Sequence, residues 1–253
     1  MNHAFTRRQL LLAASTLALA APAFAFGFGF GHETVKGSGH VSKQARQVAH
    51  FTGLALSVPG DVELHTGTAE GVSIEADDNL LPLIETVVEN GTLKIRPVHD
   101  NMQLRPHTLH ITVNAREIDQ LKLGGSGSIN ADDLRARKLE MSLGGSGSIK
   151  ARSVQADEVE VHVAGSGDLS AAGGTAGRLE VKLAGSGDVD LGKVKAGDVK
   201  VQGAGSGTTT VWALNTLSAK LAGSGDVNYY GDPRVTRTVV GSSDVRRAGP
   251  APR

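Results

Sequence analysis

Gly-Ser-Gly triplets recur at nearly constant spacing, with first glycines at Gly125, Gly145, Gly165, Gly185, Gly205 and Gly223; a decayed copy, Gly-Ser-Ser, begins at Gly241. The intervals are 20, 20, 20, 20, 18 and 18 residues. A fixed period constrains a fold more than composition does. Each repeat is one small structural unit, and it must bury its apolar side against copies of itself.

Aligning the repeats on these glycines exposes columns. Leu139-Met141-Leu143, Val159-Val161-Val163, Leu179-Val181-Leu183 and Leu217-Ala219-Leu221 are apolar at every second position, which is the alternation of a strand with one buried face. After each triplet a second apolar column runs Ile129, Ile149, Leu169, Val189, Thr209, Val227 and Val245, and a third holds Ala136, Ala156, Ala176 and Ala196. Helical repeats of this length would need a stretch at 3.6-residue spacing, and a propeller blade needs about 40 residues or more. The pattern predicts an all-β chain that forms a parallel β-solenoid with coils of about 20 residues. The glycines then serve corners, where positive φ and close approach of successive coils exclude a Cβ.

Val35 to Asn114 lacks the period but keeps strand and turn signals, such as "GVSIEA", "GTLKIRP" and "TLHITV". Irregular starting coils are expected over 35–114 and repeat coils over 115–245. The stretch "NLLPLIETVVEN" reads as a helical turn or an extended edge, and Pro82 opposes a full helix. Residues 26–34 are expected to be a disordered lead, and residues 246–253 a tail. At the start, "TRRQLLLAASTLALAAPAFA" joins Arg7 and Arg8 to a short apolar run and the small-x-small site Ala23-Phe24-Ala25. Residues 1–25 therefore read as an export signal, of the twin-arginine type or of the Sec type with two basic residues. The run is too short for a comfortable membrane span, so no span is expected in the mature chain.

The blocks "VKGSGHVSKQARQVAHFTGLALSVPGDVELHTG" and "GVSIEADDNLLPLIETVVENGTLKI", followed by the repeated Gly-Ser-Gly strands, resemble the bacterial family described as putative auto-transporter adhesin, head GIN domain. The resemblance covers about Val35 to Val245. It implies an exported, right-handed parallel β-helix, located in the periplasm or at the cell surface, and it carries over no catalytic residue.

Composition narrows the chemistry. The chain has no cysteine, which removes disulfides, thiolate metal sites and a cysteine nucleophile. Its formal charge is zero, with both signs evenly scattered, so no footprint for a nucleic acid exists. Asp168, Asp188, Asp226 and Asp244 follow the triplets and invite a calcium reading, but their place in the motif and the period differ from calcium-binding β-helix repeats, and solvated corner carboxylates are expected. His107 and His110 are three apart, which in a strand sends them to opposite faces and away from a shared metal. No metal and no cofactor are expected.

The column Glu140, Glu160, Glu180, Lys200 could imitate the acidic site of a carbohydrate-processing solenoid lyase or hydrolase, the alternative to a non-enzymatic structural or adhesive module of the cell envelope. The one candidate binding feature is aromatic. Aligned on the 18-residue coils, Trp212 falls opposite Tyr230 and Val211 opposite Tyr229, so the only Trp and one of two Tyr share a face. Such rings can stack on an envelope glycan or on an apolar group of a surface protein, or they can cover the end of the core. The export reading has its own test. Replacing Arg7 and Arg8 by lysine should accumulate precursor if the twin-arginine route is used, and fractionation showing unchanged export would assign the Sec route.

Overall fold

The computed structural model describes residues 33–251; the expected export signal and nearly all of the expected lead lie outside them. The chain begins with β1 (Glu33–Lys36), β2 (Val41–Arg46), β3 (Gly53–Leu56), β4 (Asp61–Thr66), β5 (Gly71–Asp77), β6 (Ile84–Glu89), β7 (Thr92–Pro97), β8 (Met102–Arg105) and β9 (Leu109–Ala115). It continues with β10 (Gln120–Gly125), β11 (Ser128–Gly145), β12 (Ser148–Gly165), β13 (Asp168–Ala171), β14 (Gly174–Gly185), β15 (Val189–Gly205), β16 (Thr209–Gly223), β17 (Val227–Tyr230), β18 (Arg234–Gly241) and β19 (Val245–Gly249).

From β10 onward every pairing is parallel and, apart from shifts in the β15–β16 and β17–β19 pairings, in the register of the repeat: Leu139 opposite Val159, Val159 opposite Leu179, Leu179 opposite Val199. The β-solenoid with coils of about 20 residues is therefore the fold. Each coil has three sides. In β11, Ile129 and Ala131 face inward from the first, Leu134 from the second, and Leu139, Met141 and Leu143 from the third; all six are buried. Val and Leu recur at these positions in the next coils, so the core is one continuous apolar stack.

The corners carry the stacking. Ser146 donates its backbone N–H to Gly125 O at 3.0 Å, and Ser166, Ser186, Ser206, Ser224 and Ser242 repeat this bond one coil on, at 2.8–2.9 Å. Gly145 has φ of +114°, and a Cβ there would overlap the carbonyl oxygen of Gly125. A Cβ on Gly147 would meet Gly127 O in the same way. Both glycines of the triplet are thus required by backbone-to-backbone approach, and the serine contributes to the ladder through its main chain.

The aspartates beside the corner extend the ladder. Asp168 accepts the N–H of Asp188 at 3.2 Å, Asp188 accepts that of Thr208 at 2.8 Å, and Asp226 accepts that of Asp244 at 2.9 Å. Each carboxylate binds the coil above it, which offsets the like-charge contact that the column creates.

The starting region departs from simple coils. β3 and β4 lie beneath β10 and β11, as the repeat requires, but beneath them in turn lie β7 and β9, which come later in the chain. β6, β5 and β2 then close this end with antiparallel pairings. The ambiguous stretch is both things expected of it: Leu81–Leu83 forms one 3-10 turn, and β6 follows as an extended edge. The ends of the chain hold more structure than expected. Glu33 and Thr34 pair with Met102 and Gln103, and β19 runs through the start of the tail. Periodic pairing alone decides whether a deletion is tolerated. Removing residues 145–164, one full coil, should leave a single cooperative melting transition and a strand-type circular dichroism spectrum, whereas removing residues 145–154 should abolish cooperative melting.

Candidate functional site

Trp212 and Tyr230 are register partners, as are Val211 and Tyr229. Val211 is buried and Tyr229 packs against the core, while Trp212 and Tyr230 are half-buried on the outer side. The reason for their position is the change of period. Leu191 pairs with Val211, but the next partners are Lys195 and Trp212, so Gly192, Lys193 and Val194 have no counterpart in the following coil. The solenoid narrows here, and the extra residues leave a step at the corner between the first and second sides.

The two rings sit on that step. Lys195 Nζ lies 5.8 Å from the centroid of the Trp212 ring, within the range of a cation–π interaction. Tyr230 reaches back across the narrowed coil: a Cβ on Gly192 would stand 3.1 Å from its Cε2 and 2.9 Å from Thr210 Cγ2. On the opposite side Gly249, its register partner, lies against the ring, where a Cβ would stand in ordinary van der Waals contact at 3.6 Å. Arg247, the register partner of Tyr229, donates to Gly231 O at 2.8 Å and lies 3.5 Å from the Asp232 carboxylate. The step therefore combines two aromatic surfaces with the ammonium group of Lys195. Lys195 could not be paired with Trp212 from the sequence, because the bulge shifts the register by three residues.

The acidic column forms as aligned, with Glu140, Glu160 and Glu180 opposite one another and Lys200 next. Each carboxylate already has a cation: Lys122 at 3.7 Å from Glu140, Lys138 at 2.7 Å from Glu160, and Lys200 at 3.0 Å with Lys182 at 3.3 Å from Glu180. Lys200 above all holds the Glu180 carboxyl below its ordinary range. At Glu140, burial works upward but is outweighed by Gln120, Lys122 and Ser142, so it too is lowered. A general acid needs the opposite shift. Among the described residues no group of three or more His, Asp or Glu side chains converges as a metal cage.

Two features escaped the alignment. Gly203 breaks the inward Leu183–Leu221 column, and beside it lies an open trough of about 360 Å³ between His162, Lys182, Gln202 and Lys220 on one side and Ala184 and Ala204 on the other. The interruption was visible in the sequence as one glycine in an apolar column. The second feature is Asp77, which has a fully buried side chain. Burial alone would raise its pKa, but the amides of Gly39, His107 and Thr108 and the ring of His107 lower it to about 2. Gly37 packs onto this carboxyl, so the Gly-Ser-Gly at residues 37–39 belongs to a clamp and not to the corner ladder.

The family of putative auto-transporter adhesin, head GIN domain, matches residues 50–233, and the chain belongs to it. No curated protein matches the chain. Among solved structures, a putative lipid binding protein from Parabacteroides distasonis is 25% identical with a TM-score of 0.70, covering 85% of this chain and all of that one. A putative adhesin from Bacteroides fragilis is 21% identical with a TM-score of 0.79, covering 84% of this chain and 99% of the other. A second Parabacteroides distasonis protein, also a putative adhesin, is 20% identical with a TM-score of 0.64, covering 85% and 100%. These last two show the fold. No helix among the described residues is long and apolar enough to cross a membrane.

The Asp77 clamp has a measurable consequence. A carboxylate whose pKa is depressed on folding stabilises the protein above its ordinary value of 3.8, and that contribution is lost as pH falls through about 2. The melting temperature should drop between pH 4 and pH 2. Asp77→Asn should lower it by several degrees at pH 7 and flatten the acid limb, which thermal melts across that range would check.

Proposed function

We propose that the protein is an exported, non-enzymatic binding module of the bacterial cell envelope, and that Trp212 and Tyr230 form its contact surface. The observation that carries this reading is the register pairing of these two rings on the step where the coils shorten, with Lys195 over the Trp212 ring. Family membership supports an adhesive role, and the adhesin and lipid-binding descriptions of the structural neighbours support binding over catalysis. The acidic column supports the same choice, since lysines pair with its carboxylates and those of Glu140 and Glu180 are held below their ordinary range. The partner is an envelope glycan or a surface protein that presents an apolar face to the rings and negative charge to Lys195.

Trp212→Ala tests this. Binding of the mature protein to envelope fractions or to a glycan array should weaken by about tenfold or more, as for an aromatic anchor, with the melting temperature unchanged. A lower melting temperature with binding intact would make the rings a cover over the end of the core.

A further inference from the structure

The two ends of the solenoid are finished differently. At the start, the edge strands β2 and β6 are charged and pinned: Arg46 of β2 donates to Leu81 O at 2.7 Å and to Thr86 Oγ1 of β6 at 3.3 Å, and Arg96 of β7 bridges Glu85 and Glu89 of β6 at 2.8 and 3.1 Å. Such edges resist further pairing. At the other end, β18 pairs with β16 on one side and with no strand on the other among the described residues. All eight of its residues are exposed.

The side chains of β18 match an unfinished core. Leu217, Ala219 and Leu221 are buried, and their register partners one coil on are Val235, Arg237 and Val239. Val235 and Val239 remain 36% and 37% exposed. Arg237 occupies the inward row between them and has no ion pair or side-chain hydrogen bond among the described residues. An incoming strand would therefore meet open main-chain donors and acceptors, two valines and a guanidinium on one face. A second copy docked by a two-fold axis would bring Arg237 near its own symmetry mate, where burial would leave two like charges unpaired.

We infer that β18 is a strand-acceptor edge for a partner chain carrying the pattern apolar–x–acidic–x–apolar, whose outer residues cover Val235 and Val239 and whose carboxylate pairs with Arg237. Main-chain hydrogen bonds along the edge supply affinity, and the Arg237–carboxylate pair supplies selectivity, which is the division of labour in strand addition generally. This inference stands apart from the Trp212–Tyr230 surface and does not depend on it.

Two blocked peptides that read the same in either direction, TVTETVT and TVTKTVT, provide the test on the mature protein. The glutamate peptide should bind at least about tenfold more tightly than the lysine peptide, corresponding to about 1.4 kcal/mol or more. It should also slow amide hydrogen exchange within residues 234–241. Arg237→Glu should reverse the preference while leaving the melting temperature unchanged, because Arg237 is exposed and unpaired. Absence of protection in β18 at millimolar peptide overturns the inference, as does a preference indifferent to residue 237. Self-association in sedimentation with protection of the same amides would assign the edge to a second copy and overturn it equally.

Discussion

The hydrogen bond from the serine N–H of one corner to the glycine carbonyl of the corner below is the contact on which the rest of this protein depends. It sets the distance between coils at a point where two backbones touch without side chains. The apolar columns must then match that spacing, and they do because one alternation, set once by the corner, is copied through every coil. A β-carbon at Gly145 or Gly147 would push the corner apart and misalign the inward residues of two coils at once. The cost would include the contact itself and the packing on both sides.

A stack of identical coils has no intrinsic end, and the two ends of this one reflect different solutions to the same problem. The start is closed by a change of strand direction, by charges on the edge strands, and by a clamp in which the buried Asp77 gathers three amides from separate segments. The far end keeps an open strand, guarded by a single inward arginine. Edge strands invite pairing, so this asymmetry gives the molecule a direction: one end is inert and the other is chemically specific.

The step where the period falls from 20 to 18 is the other break in the repeat. The shorter coil leaves Gly192, Lys193 and Val194 without register partners, and Trp212 and Tyr230 sit at this corner, with Tyr230 over the buried Gly192 and Lys195 over the indole. Along the acidic column the outer charges are paired with one another. Departure from periodicity is thus what creates a distinguishable site on an otherwise uniform wall.

Within the repeats, sequence alone determined the fold class, the facing of the aligned columns and the register wherever the period is unbroken, including the pairing of Trp212 with Tyr230. A period fixes these, because each coil's partner is its own copy. Outside the repeats, and at the bulge where the period changes, that logic has no purchase. The insertion of β3 and β4 between β10–β11 and the later strands β7 and β9, the Asp77 clamp, the strand at Val245–Gly249 and the Lys195–Trp212 contact were decided only in three dimensions. Each joins segments whose separation in the chain follows no period, through hydrogen bonds and packing that exist only once the core has brought them together.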